Sequence, residues 1–114
     1  FIPLLRSPEL MDRLQKVGEY LRFHSALQAR ISEFVVSVVA RQWTQQFEWA
    51  THVPLALGAG TAKETIEALR DGRRPVGMSR EEELAYDFTT DRGGLTHKIR
   101  LKRTTIGTNS KDAP

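Results

Sequence analysis

Three side chains near the middle of this 114-residue chain could together move protons: Glu33, Glu48 and His52. Glu48 and His52 are four residues apart, so on a helix they lie one above the other on the same face. Glu33 lies in the preceding segment, which could fold back as an antiparallel neighbour across a short break at Trp43 and Thr44. Two carboxylates and an imidazole in largely apolar surroundings are the components of an acid–base site. The sequence therefore indicates a candidate proton-transfer site.

The same residues also have plain structural interpretations. Glu48 and His52 could be an exposed pair on a solvated helix face, which contributes only a few tenths of a kcal/mol. Glu33 lies in the first turns of its helix, where a carboxylate stabilises the positive end of the helix dipole. A metal site would need more than the Glu48–His52 pair, and only Glu33 or His24 could extend it. We expect neither a metal nor a cofactor.

The spacing of apolar residues and the capping residues predict helices throughout residues 1–90. The first two predicted helices run from Ser7-Pro8 to about Arg22 and from about Leu27 to Gln42. The third is capped by Thr44 and ends at Gly58 or Gly60. The fourth begins with a capping box at Thr61–Glu64 and stops at Gly72, and the fifth begins with a capping box at Ser79–Glu82. In the third helix, Pro54 should produce a bend. Five helices with short connections and no convincing strand predict an all-α fold.

Charge divides the chain into two parts. Residues 91–114 hold six Lys and Arg against two Asp, a net charge of +4, whereas the whole chain carries +3 and residues 1–90 therefore carry −1. A short basic tail is weak support for a polyanionic partner, so nucleic acid is disfavoured. We expect a helical domain over 1–90 and a divergent, flexible tail over 91–114.

Composition excludes several classes of protein. There is no cysteine, which excludes disulfides, thiolate metal sites and thiol redox chemistry carried by this chain. The longest apolar run, from Phe34 to Ala40, is too short to cross a bilayer. We therefore expect a soluble, cytoplasmic protein of one domain that is not held in a membrane.

Three segments taken in order resemble the carboxymuconolactone decarboxylase family of the alkylhydroperoxidase-D-like helical superfamily. They are ARQWTQQFEWATHVPLALGAG, ETIEALRDGRRP and EEELAYDF. The most telling parts are the ARxW turn at residues 40–43, the EWxxH run at residues 48–52 and the helix–glycine–helix that follows. The resemblance covers roughly residues 1–90 and implies an alkylhydroperoxidase-D-like helical bundle. Residues 91–114 depart from the family pattern, in which further helices usually follow.

The resemblance also separates two kinds of chemistry. The peroxidase branch of the superfamily carries a glutamate, then C-x-x-C, then a histidine four residues after the second cysteine. Glu33 and His52 match its glutamate and histidine, but Gln45 and Glu48 stand at the two cysteine positions. Thiol peroxidases need a nucleophilic and a resolving thiol. A peroxidase or antioxidant role is therefore disfavoured.

The cysteine-free decarboxylase branch implies a lyase acting on a small carboxylated lactone or a related organic acid. On this reading His52 is the proton shuttle, Glu48 orients it or exchanges protons with it, and Glu33 is a second carboxylate. The substrate-binding candidates are Arg41, Trp43 and Trp49. The plain alternatives are that Arg41 neutralises acids on a neighbouring helix and that the tryptophans are core or interface residues.

A second class of function also fits the sequence: a non-catalytic oligomer with a vestigial pocket. Five amphipathic helices in so small a domain would leave apolar helix faces uncovered. Self-association is the expected way to bury them, so we expect a homo-oligomer.

Overall fold

The computed structural model describes residues 2–90, which form five α-helices and no strand, so the all-α prediction is confirmed. The predicted tail at 91–114 lies outside the described residues. A short 3-10 helix that the sequence analysis did not predict, Ile2–Arg6, comes first. The α-helices are α1 (Pro8–Phe23), α2 (Ala29–Gln42), α3 (Gln46–Gly58), α4 (Lys63–Arg70) and α5 (Arg80–Thr90).

Helix α2 is the centre of the fold, because it contacts every other α-helix. Its main neighbours are α3 and α5, while α4 and α1 touch it less. The buried core consists of Phe34, Val38, Ala40, Trp49, Val53, Ala56, Ile66 and Leu69. Phe34 and Val38 are almost completely buried, and each such side chain contributes about 1.5–3 kcal/mol by leaving water.

The valines of α2 have a strand-like propensity, yet their spacing produces a helix, as predicted. Among the apolar residues of α2, Ile31, Phe34 and Val38 are buried. Val35 is only partly buried and Val39 is exposed. The inward face of α2 therefore does not include Val39.

One of the predicted capping arrangements is confirmed. The backbone N–H of Ser79 donates to Glu82 Oε2 at 2.8 Å, and the backbone N–H of Glu82 donates to Ser79 Oγ at 3.2 Å. These two bonds are the reciprocal capping box at the start of α5.

Two other predicted caps are wrong. Thr44 has a φ of +55° and belongs to the turn, so Gln45 is the residue that precedes α3. Ala62 rather than Thr61 precedes α4, and no side chain caps that helix. The Thr61 hydroxyl is instead buried with no hydrogen-bond partner among the described residues.

Helix α5 packs against the core through Ala85 and Tyr86 and leaves its two larger aliphatic and phenyl side chains uncovered. Leu84 and Phe88 are exposed, whereas Glu82 is buried. The reason is Arg30 of α2, whose Nη1 donates to Glu82 Oε1 at 2.8 Å and whose Nη2 donates to Glu81 Oε2 at 2.8 Å. Because Glu82 also completes the capping box, this one carboxylate fixes both the start and the rotation of α5.

Helix α3 continues through Pro54, which is exposed. It ends at Gly58, which is one of its two predicted ends. Gly60 and Gly72 follow α3 and α4 with φ values of +107° and +73°. These left-handed conformations favour glycine and allow the chain to reverse after each helix.

The capping box gives a direct test of what holds α5 in place. Ser79→Ala removes the hydroxyl that accepts from the Glu82 N–H, so the free energy of unfolding should fall by about 1 kcal/mol. Urea denaturation followed by circular dichroism measures this change. Ser7→Ala is the matched control, because Ser7 precedes α1 without a side-chain capping bond. Equal losses in the two variants would contradict the assignment.

Candidate functional site

The closest polar contact between two helices at the centre of the fold joins Glu33 of α2 to His52 of α3. Glu33 Oε2 lies 2.5 Å from His52 Nδ1. A turn of three residues, 43–45, folds α3 back against α2, so a side chain early in α2 meets one in the middle of α3. The predicted fold-back of the Glu33 segment onto the Glu48–His52 helix is therefore what the structure contains.

The second carboxylate lies on the other side of the same ring. Glu48 Oε2 is 3.3 Å from His52 Nε2, as expected for residues one helical turn apart. The three side chains differ sharply in exposure: that of Glu33 is 11% exposed, that of His52 19% and that of Glu48 48%. They form a continuous row, which we call the carboxylate–imidazole row, from the interior to the surface.

The short contact controls which ring nitrogen carries a proton. An ionised Glu33 can only accept, so Nδ1 must donate to it. In a neutral ring, Nε2 then carries the lone pair and lies beside Glu48. In a protonated ring, Nε2–H can donate toward Glu48. His52 can therefore take up or release a proton at Nε2 while Glu33 holds the ring in one orientation.

Neighbouring residues hold the two ends of the short contact in place. Ser37, which is fully buried one turn after Glu33, donates from Oγ to the Glu33 backbone carbonyl at 2.8 Å. On α3, Trp49 and Val53 flank His52 in sequence and are buried in the core. Both helices are thus anchored by apolar packing next to their polar residues, which keeps the two side chains in register.

The three predicted substrate-binding residues differ in their contacts and exposure. Arg41 Nε donates to the backbone carbonyl of Arg70 at 2.9 Å, at the end of α4. Trp49 is 7% exposed and lies in the core, whereas Trp43 is 43% exposed. The substrate-binding role of these three residues stays a prediction.

The sequence indicates Glu48 as the residue that orients His52, but in the structure Glu33 lies closer to the His52 ring. One signal in the sequence does point to it. Glu33 lies ten residues before Trp43 and His52 nine residues after it, so two helices that reverse at that point bring both to the same level. The contact of Arg30 with α5 could not be predicted, because no residue near Arg30 in the sequence indicates that α5 packs against it.

The three side chains of the row are not arranged around a common point. Its two carboxylates lie on opposite nitrogens of one imidazole, so the three groups do not converge on a common point. Among residues 2–90, no group of three His, Asp or Glu side chains could hold a metal ion.

Comparison with protein families, with curated proteins and with solved structures gives no match for this chain. Among the described helices, none combines the length and apolar character needed to cross a bilayer.

The short contact predicts the tautomer of His52. Neutral His52 should carry its proton on Nδ1, and Glu33→Ala should move that proton toward Nε2, because its acceptor is gone. Long-range ¹H–¹⁵N correlation spectra of the imidazole distinguish the two tautomers. Exposed His24 provides an internal reference that should not change. A His52 ring that keeps its spectrum in Glu33→Ala would show that the contact does not exist in solution.

Proposed function

We propose that this chain is a cofactor-independent acid–base enzyme of the carboxymuconolactone decarboxylase type. The single observation that carries the proposal is the 2.5 Å contact between Glu33 Oε2 and His52 Nδ1, with Nε2 on the side of the half-exposed Glu48. A buried carboxylate that orients an imidazole is a general arrangement for acid–base catalysis at the far ring nitrogen. The motifs at residues 40–60, 64–75 and 81–88 support the choice of family.

The proposed substrate is a small carboxylated lactone or a related organic acid. When such an acid loses carbon dioxide, the carbon–carbon bond to the carboxylate breaks and its electron pair stays on the substrate. A proton must then be delivered to carbon. In this proposal His52 Nε2–H is the donor, and the reaction needs no oxidant or reductant.

Each carboxylate has a separate role in this mechanism. Glu33 is a positioning residue, because it holds the ring through Nδ1 and only 11% of its side chain is exposed. Glu48 lies beside Nε2 with about half of its side chain in water. It can therefore return a proton from solvent to His52 after each turnover, while Arg41 and Trp43 at the α2–α3 turn are proposed to hold the substrate.

The alternative is a non-catalytic, oligomeric protein with a vestigial pocket. Two observations favour it: Arg41 is already bonded to the end of α4, and Trp49 is enclosed by the core. In that case the Glu33–His52 contact only fixes α3 against α2. In either case we propose a cytoplasmic homo-oligomer.

Turnover of carboxymuconolactone-like acids separates the two functions. His52→Ala should lower kcat by about 10²–10⁴, the usual contribution of a general acid or base. Glu48→Gln should also lower kcat, because the amide cannot relay a proton. Release of carbon dioxide, measured alongside loss of the lactone, reports the reaction.

The matched control is His24→Ala, because His24 is exposed near the end of α1 and lies outside the row. It should leave kcat unchanged. Equal activity of the parent, His52→Ala and Glu48→Gln would show that the site is wrongly assigned. No turnover by the folded parent would favour the non-catalytic alternative.

A further inference from the structure

Helix α2 carries an arginine, Arg30, three residues before the buried carboxylate Glu33. Residues at this spacing are neighbours on a helix surface, with Cβ atoms about 5–6 Å apart, so a guanidinium at position 30 is within reach of Glu33. The structure does not pair them. Arg30 contacts α5, and Glu33 contacts His52 of α3. Among residues 2–90, no Lys or Arg forms an ion pair with Glu33.

Two carboxylates at the start of α5 hold Arg30 in this direction. Arg30 Nη1 donates to Glu82 Oε1 at 2.8 Å, and Nη2 donates to Glu81 Oε2 at 2.8 Å. The side chains of Arg30 and Glu82 are only 23% and 8% exposed, so solvent screens their attraction little. The second oxygen of Glu82 accepts from the Ser79 N–H, which fixes that carboxylate. We call Arg30, Glu81 and Glu82 the arginine clasp.

The place of Arg30 in α2 shows that its charge does not serve this helix alone. It is the second residue of α2, where the positive end of the helix dipole disfavours a cation. The first turn of α2 has no acidic residue to offset it. The partners of Arg30 instead come from α5, 51 and 52 residues later in the chain.

Helix α5 depends on the clasp more than on buried apolar side chains. The buried core residues all belong to α2, α3 and α4. Within Arg80–Thr90 the one buried residue is Glu82, while Ala85 and Tyr86 are partly buried against the core. Loss of the clasp would therefore free Arg30 while the core of the other three helices stays in place.

A free Arg30 would compete with His52 for Glu33. The guanidinium is always charged, whereas a neutral imidazole offers only an uncharged N–H. Because Coulomb attraction adds to the hydrogen bond, an ionised Glu33 binds the guanidinium more strongly than the neutral ring. His52 Nδ1 would then lose its acceptor, and the ring would lose its fixed orientation.

We propose that Glu81 and Glu82 are positioning residues for His52, which act by holding Arg30 away from Glu33. While the clasp is formed, Glu33 is left to His52. When the clasp is broken, Arg30 takes Glu33 and the ring is released. This inference deepens the proposed function and rests on it for its catalytic meaning, since His52 exchanges protons at Nε2 while Glu33 holds Nδ1.

The tautomer of neutral His52 tests the proposal. The double variant Glu81→Gln/Glu82→Gln removes both charges from the clasp and keeps the size of each side chain. Arg30 should then pair with Glu33. The ring proton of His52 should move from Nδ1 to Nε2 in long-range ¹H–¹⁵N correlation spectra, because Nδ1 has lost its acceptor. An unchanged spectrum in the folded double variant would overturn the proposal.

Arg30→Met is the matched control, because it breaks the same clasp but leaves no cation to take Glu33. His52 should keep its proton on Nδ1 in this variant. Adding Arg30→Met to the double variant should return the proton to Nδ1. If the clasp served only to hold α5 in place, all three variants would show the same shift. That result would overturn the proposal.

Glu83→Gln controls for the loss of charge from α5. Glu83 is exposed and lies outside the clasp, so this variant should keep the spectrum of the parent. A shift as large as that of the double variant would indicate a general effect of charge and contradict the proposal. Circular dichroism shows whether each variant is folded. If the double variant is not, Glu82→Gln alone provides the same comparison with Arg30→Met.

Turnover distinguishes failure of this inference from failure of the proposed function. The spectra require no substrate, so the tautomer shift is measurable in a protein without lyase activity. If the parent is active, the double variant should lose kcat with KM little changed. The triple variant with Arg30→Met should regain it. A loss of kcat that Arg30→Met does not restore would overturn the positioning role and leave the proposed function intact.

Discussion

A carboxylate between two packed helices is costly unless a partner satisfies it. Glu33 meets that condition through His52, and the contact links the two helices that contribute most of the core. The remaining structure is arranged around this pair: α2 carries the carboxylate in its first turns, α3 carries the imidazole, and α4 and α5 pack around α2. Structural fixation and the proposed chemistry thus depend on the same two side chains.

A second buried carboxylate shows how polar contacts specify the fold. Glu82 satisfies one oxygen with the Ser79 backbone and the other with Arg30, which lies 52 residues earlier in the chain. Such a contact fixes which face of α5 meets α2, whereas apolar packing alone would accept the face carrying Leu84 and Phe88. Two carboxylates, one in the α2–α3 interface and one in the α2–α5 interface, therefore help to determine how these helices are rotated.

The sequence predicted most of the helical architecture, because helix boundaries depend on local signals such as the Ser7-Pro8 start and the glycines after α3 and α4. It also predicted the three members of the carboxylate–imidazole row. The prediction was wrong where two local signals compete for one helix start, and incomplete where a residue distant in the chain determines how a helix packs. Thr44 and Thr61 have the right chemistry for caps but the wrong backbone positions, and the rotation of α5 depends on Arg30. The relative importance of Glu33 and Glu48 required the distances across the α2–α3 interface.

The turn between α2 and α3 has a consequence for how this chain can vary. The N–H of Gln45 donates to the carbonyl of Ala40, and the N–H of Thr44 to that of Arg41, so the connection has a fixed length. One residue inserted there would rotate α3 by about 100° relative to α2. His52 would then turn away from Glu33, and Thr51 would take its position. Substitutions on the exposed faces are tolerable, but an insertion or deletion in this three-residue turn would separate His52 from Glu33.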